Sequence, residues 1–360
     1  MKDVAAPKRK LLYLEIMRII AIYFVLFNHT SDSGYLLFTR RAPGSLQFWV
    51  YLVLSIFSKV SVNLYLMISG ALLLGKEPEG LGTLFRKRVL KMTSLLFVIS
   101  LLYYLRDMMF YPQKSYGVKD FFATLYSSET SKHLWYLYMY IAFLLILPFL
   151  QKLVKGLGDE YLIYMILIAI AMSCISLMEL LLFQGRLTLN IHFSFAWLPD
   201  IILYPCVGYY LEHRLQITKK NTVIAGIVNV VCLALSAFLT YYSTVHPSLN
   251  ATIGSTTFHK RFVLINAVSV FMLIKLLTQN LRTDLAITSV LLSMGSCTFG
   301  IYLIHKFILF TPYRLKVLKV FYKFIHDRMA ACLLYCLFVF LACYLIVLVL
   351  KKIPLIKDFI

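Results

Sequence analysis

Apolar residues run in long blocks along this chain, each close to bilayer-spanning length and separated from the next by a short polar stretch. The blocks fall roughly at 12–30, 48–74, 92–111, 134–151, 160–183, 196–211, 222–243, 261–279, 286–310 and 329–350. None shows the strict apolar–polar alternation of a barrel strand. The pattern predicts an all-α fold, a polytopic helical membrane protein with about ten transmembrane helices. The sixth block is short, and the ninth is interrupted by Ser293, Gly295, Ser296 and Gly300. No internal repeat, low-complexity tract or appended soluble domain is visible, so residues 1–360 read as one transmembrane domain.

Composition agrees. The 360 residues are 61% hydrophobic and only 14% charged, too little charge to cover a soluble domain of this size. The formal net charge of +20 would suggest nucleic acid as a partner in a soluble protein. Here the cations sit in short segments between apolar blocks, which is the positive-inside pattern and a contact with anionic membrane lipid. An even number of spans puts both termini on one side, together with Lys8, Arg9, Lys10; Lys76, Arg86, Lys87, Arg88, Lys91; Lys152, Lys155; Arg214, Lys219, Lys220; and Lys351, Lys352. That side is assigned as cytoplasm, in a multi-pass protein of the cell (inner or plasma) membrane. Residues 311–328 argue against the rule, since this count puts them outside although they carry Arg314, Lys316, Lys319, Lys323 and Arg328. The basic start MKDVAAPKRK leads into the first block without a small-residue cleavage site, which predicts an uncleaved first span. The seven cysteines lie in or beside apolar blocks with no C-x-x-C pair, so they read as small buried hydrophobes, with neither a disulfide framework nor a metal site. Asn28-His29-Thr30 and Asn250-Ala251-Thr252 match the glycosylation sequon, a match short enough to arise by chance.

The first block raises a sharper question, because EIMRIIAIYFVLFNHT holds Glu15, Arg18 and His29 in an otherwise apolar run. Eleven residues on an α-helix turn through about 1100° and rise about 16 Å, which puts Arg18 and His29 on one face about half a bilayer apart. Glu15, three residues before Arg18, shares that face and can pair with it. A charge well inside hydrocarbon costs at least ~2.5–3.5 kcal/mol, so the face should line protein or water. Read functionally, this is a polar track into a cavity, with a cation for a phosphate, carboxylate or oxyanion and a general base able to take a hydroxyl proton. The bland alternative is an Arg snorkelling to lipid phosphates and an interfacial His.

An acidic residue, an Arg, ten residues and a His in the first span resemble the signature of the integral-membrane acyltransferase-3 family. The likeness extends through SVNLYLMISGALLL (61–74), with Ser69-Gly70, HLWYLYMYIAFLLILPFL (133–150) and FGIYLIHKFIL (299–309). The resemblance implies a membrane O-acyltransferase, most simply an O-acetyltransferase, with acyl-CoA (acetyl-CoA) as the cytoplasmic donor substrate and no metal. The acceptor implied is a hydroxyl of an envelope glycan, glycolipid or related molecule. His29 would be the general base, and Arg18, supported by Glu15, would position the donor or polarise its thioester. In the family an Arg-x-x-Arg motif before the third span is implicated in holding coenzyme A. In LFRKRVLKM (84–92) the nearest match is Arg88-Val-Leu-Lys91, with Arg86 beside it; Lys meets a phosphate as a point charge without the bidentate fork. Arg86 and Arg88 lie about 200° apart on a regular helix, so both cannot face one ligand, and the cluster also reads as plain positive-inside charge.

Ser69, Trp135, Tyr302 and His305 complete the candidate substrate wall. Each has a bland counterpart: Ser69-Gly70 as a close helix contact, Trp135 with His133 as an aromatic-belt position, His305 as a satisfied core histidine one turn from Tyr302. No G-x-S-x-G elbow surrounds Ser69, which weighs against a nucleophilic serine. Asp200 carries no family motif, and an ion pair is its default. Some relatives carry a fused hydrolase-like domain that is absent after the tenth block, so a separate extracytoplasmic partner or direct transfer must serve. The alternatives are a transporter or flippase of a small anion or lipid-linked sugar using Arg18, Asp200 and His305, for which no inverted repeat is seen, and an assembly subunit for polysaccharide export.

Overall fold

The computed structural model describes residues 5–112, 116–183, 190, 199–246, 254, 256–279, 281, 285–309, 311–357 and 359. Asn250 and the 196–198 start of the sixth block lie outside the described residues, as do the side chains of Lys8, Arg9 and Lys10.

All regular structure among the described residues is helical. Helices α1 Ala5–Asn28, α2 Leu46–Phe57, α3 Val60–Leu73 and α4 Leu81–Phe110 are followed by a short α5, Val118–Ser127. Then come α6 Trp135–Gly156, α7 Asp159–Phe183, α8 Asp200–His213, α9 Lys219–Val245 and α10 Val263–Thr278. The chain closes with α11 Ala286–Ser296, α12 Thr298–Ile308, α13 Thr311–Phe324 and α14 Arg328–Leu350. Six helical stretches among the described residues are long and apolar enough to span a bilayer, and α11 with α12 makes a seventh bent by 64°. The remaining predicted blocks are α1, α8 and α10, so each of the ten apolar blocks is helical over most of its described residues. Exposed apolar residues such as Ile163, Leu167 and Leu182 of α7 suit a lipid-facing surface.

Two departures from uniform spans matter for the site. The second block is two helices rather than one, broken at Ser58–Lys59. The Ser58 carbonyl accepts the Asn28 amide (3.0 Å), and the Ser58 hydroxyl donates to Asn28 Oδ1 (3.1 Å). The interruption predicted in the ninth block is the bend at Cys297, where Thr298 Oγ1 donates to the Gly295 carbonyl (2.7 Å). Both breaks leave carbonyls that need a partner in an apolar setting, and both find one.

The first helix is the hub, packing against α3, α10, α11, α12 and α14. Beside it, α3 and α8 meet almost backbone to backbone. A Cβ on Gly70 would lie 1.9 Å from the Pro205 carbonyl oxygen, and one on Gly208 would lie 2.0 Å from that of Met67. Small residues permit this approach between membrane helices, so Gly70 is a packing residue.

Candidate functional site

The C-terminal end of α1 places His29 at the meeting point of two cavities. The first, ≈ 320 Å³, lies between α1, α3, α4, α6, α11 and α12, with Arg18, Tyr65, Ser69, His133, Tyr136, Tyr140 and Tyr302 in its wall. The second, ≈ 440 Å³, has Lys59, Asn63, Asp200, Tyr204 and Lys260 in its wall. Val25, His29, Val62 and Trp135 line both.

His29 does not stand alone. Its ring centroid is 5.3 Å from that of His305 and 6.3 Å from that of His133, while His133 and His305 are 4.9 Å apart. His305 Nδ1 lies 2.7 Å from the Tyr302 carbonyl, which can only accept, so Nδ1 carries the proton. Its Nε2 is buried without a partner among the described residues, and so is that of His133. His133 Nδ1 is 3.0 Å from Ser131 Oγ, and the Tyr302 hydroxyl donates to the His133 carbonyl (2.8 Å). Arg314 Nη1 donates to the His29 carbonyl (3.2 Å), a cation at the negative end of the α1 dipole. No group of His, Cys, Asp and Glu able to hold a metal ion is found among the described residues.

At the other end of the first cavity, Arg18 pairs with Glu15 through Nη1 and Oε1. Glu15 is itself buried, its other oxygen lacking a partner among the described residues, and Gly295 of α11 packs directly onto it. The Tyr65 hydroxyl donates to the Arg18 carbonyl (3.2 Å). One helix face therefore presents a guanidinium and an imidazole into a single aromatic-walled chamber.

The acyltransferase-3 family model, an acyltransferase domain, matches residues 11–349. The chain belongs to that family. No curated protein and no solved structure matches it. Membership makes the chain a multi-pass membrane acyltransferase, an enzyme, and decides for acyl transfer over the transporter and assembly-subunit alternatives.

The residues singled out in the sequence are distributed unevenly in this acyltransferase. Arg18, His29, Ser69, Trp135 and Tyr302 line the first cavity together. Ser69 Oγ is turned to its own helix, donating to the Tyr65 carbonyl (2.9 Å). Glu15 stands behind Arg18, and His305, 0% exposed, stands behind His29; neither is in the cavity wall. The basic cluster lies on α4, within a wider five-residue π-turn at Phe85–Val89, so the regular-helix angle between Arg86 and Arg88 does not apply. Arg88 is paired with Glu79, Lys91 Nζ lies 5.5 Å from the Phe359 ring centre, and Arg86 is exposed. None of the three lines the first cavity, although Met92 does. Tyr140 connects the regions, being within electrostatic reach of both Arg88 and Arg18. Asp200 has no ion pair among the described residues and faces the second cavity. The Asn28 amide nitrogen donates to the Phe24 (2.9 Å) and Ser58 (3.0 Å) carbonyls, an arrangement that suits a packed helix end rather than a glycan attachment point.

Sequence reasoning passed over Lys59 and Lys260, weighed His133 only as a companion of Trp135, and left Arg314 out of the site. Lys59 carried a usable signal as a lone cation inside the 48–74 apolar block. Arg314 was visible only as the surplus charge of 311–328, and nothing local tied it to His29.

Proposed function

We propose that the enzyme is an O-acetyltransferase that moves an acetyl group from cytoplasmic acetyl-CoA to a hydroxyl of an envelope glycan, glycolipid or related molecule. The observation that carries this reading is that His29 belongs to the walls of two cavities at once. The first suits the donor. Its aromatic and apolar wall accommodates an acyl-pantetheine arm while the nucleotide remains at the mouth near Arg86, Arg88 and Lys91. Arg18, about 16 Å along the helix from His29, is too far to polarise the same carbonyl that His29 serves, so it holds a phosphate or other oxygen of the donor. The second cavity brings the acceptor hydroxyl to His29 from the opposite side.

His29 takes the hydroxyl proton as the oxygen bonds to the acyl carbon. The carbon–sulfur bond then breaks, and the coenzyme A thiolate leaves and takes up the proton. His305, with Nδ1 committed to Tyr302 and Nε2 free to accept, stabilises the protonated cluster. Because both cavities reach the same imidazole, direct transfer suffices without a separate partner or a covalent intermediate on Ser69. With both termini cytoplasmic, Arg18 lies on the donor side and His29 toward the outer face.

The test is His29→Ala in reconstituted vesicles with labelled acetyl-CoA at matched protein levels. General-base catalysis is worth ~10²–10⁴-fold, so transfer should fall by at least about a hundredfold while insertion is preserved. Turnover near wild type would overturn the mechanism.

A further inference from the structure

The second cavity has a charge pattern that a neutral acceptor does not require. Lys59 sits at the break between α2 and α3, inside an apolar 28-residue stretch, where a cation is costly unless it faces water or a ligand. Its Nζ lies 3.9 Å from the Tyr35 ring centre, an apolar shelf for the charge rather than a counter-ion. Lys260 closes the turn Thr257–Lys260 and is exposed. Neither lysine forms an ion pair among the described residues. The one carboxylate in this wall among the described residues is Asp200, the first residue of α8, which feels the Lys260 charge but makes no ion pair with either lysine. Two cations against one anion leave the wall positive, beside the imidazole that it shares with the donor cavity. The volume, ≈ 440 Å³, is within the range for a small-molecule pocket and admits a sugar-sized group.

Resting on the acyl-transfer reading above, we propose that this cavity is an acceptor subsite selective for a hydroxyl compound that also carries an oxyanion, a carboxylate or a phosphate. Lys59 and Lys260 hold the oxyanion as two point charges, Asp200 accepts a hydrogen bond from a neighbouring hydroxyl, and the reacting hydroxyl is directed at His29. The oxyanion thus orients the acceptor as well as binding it, which selects one hydroxyl of several for transfer.

Binding is read first, without donor, on the full chain in nanodiscs by ligand-observed NMR titration. The probes are methyl glucoside, methyl glucuronide and methyl glucoside 6-phosphate, which share a ring and differ in charge. The two anionic probes should bind at least about tenfold tighter than the glucoside, and high salt should narrow the gap. The tighter of the two identifies carboxylate or phosphate as the natural group. Lys260→Gln, at an exposed position, should shrink the gap, and the Lys59→Gln/Lys260→Gln pair should remove it, while Lys59→Arg/Lys260→Arg restores it. Equal binding of all three probes, or a gap that survives the double Gln variant, overturns the proposal. Transfer from labelled acetyl-CoA to the same probes separates the two levels of inference. Efficient but charge-blind acetylation refutes the subsite alone. Charge-selective binding with no acetylation of any probe and no donor turnover refutes the acetyl-transfer reading alone.

Discussion

A methyl group on Gly295 tests how tightly the first cavity is held. A Cβ there would lie 2.4 Å from Glu15 Cβ and 2.9 Å from Glu15 Cα. Carbon atoms pack at about 3.5–4.0 Å, and neither the Cβ nor the Cα of Glu15 can swing aside, so α11 and α1 must separate by roughly 1 Å. Overpacking of this kind costs ~1–3 kcal/mol. Glu15 holds Arg18, so the displacement passes to the guanidinium, which on the proposed reading holds the donor. Misplacement approaching 1 Å can cost up to ~10²-fold, so Gly295→Ala should raise the acetyl-CoA KM or lower kcat by at least about tenfold and reduce the thermal midpoint. Gly226→Ala in α9 is the control, because a Cβ there meets nothing within 4 Å. Both variants are measured in nanodiscs by steady-state transfer and thermal unfolding. Wild-type donor kinetics and stability in Gly295→Ala would refute the contact and its link to Arg18.

Arg88→Ala should raise the donor KM about tenfold with kcat little changed, as a lost charge-assisted hydrogen bond costs ~1.5–3 kcal/mol; stability should move by no more than ~1 kcal/mol, because the Glu79 pair is part-exposed. Arg18→Lys should lose more than about tenfold of transfer at matched protein levels, since one ammonium cannot both hold Glu15 and offer a fork to the donor; wild-type rates would show that charge alone suffices. His259 is pushed down to about 3, first by burial and then by the nearby Lys59 charge, and its Nδ1 is 2.9 Å from the Tyr35 hydroxyl. It stays neutral when folded but protonates near 6.5 when unfolded, so stability should decline as pH falls below about 6.5 towards 3, and thermal midpoints of His259→Gln should decline less steeply over that range.

The helical membrane architecture was legible because lipid allows few alternatives: apolar blocks of bilayer length must satisfy their own backbone, and helices do so. The pairing of Arg18 with His29 was legible for a related reason, since helix periodicity fixes which residues share a face. What the sequence could not convey was which helices come together. His133 and His305 lie 172 residues apart and converge because the turn before α6 and helix α12 both reach His29 at the end of α1, an arrangement that no local pattern encodes. The break at Ser58–Lys59 was hidden as well, because Phe57, Ser58 and Lys59 contain neither Gly nor Pro. It is stabilised from outside, by the Asn28 side chain. The bend at Cys297 was easier to see, since Gly295 and Ser296 weaken the helix pattern there.

The positions of these two breaks bear on why the site lies where it does. A continuous helix hides its carbonyls and offers a cavity only side chains, so shaping a polar chamber within an apolar layer favours interrupted spans. The break at Ser58–Lys59 brings Lys59 into the wall that His29 shares with the second cavity. The bend at Cys297 sets Gly295 and Ser296 against one end of the first cavity and Phe299 and Tyr302 along its side. Each interruption is closed by a neighbouring polar side chain, Asn28 in one case and Thr298 in the other, so the backbone is not left unpaired. Asn28 therefore has a structural duty next to the catalytic candidate: it fixes the end of α1 to the broken span. The carbonyl of His29 is held in turn by Arg314 from α13. The backbone that carries the imidazole is thus restrained from two sides, and on the proposed mechanism that lets one ring serve a donor arriving along α1 and an acceptor arriving past Lys59.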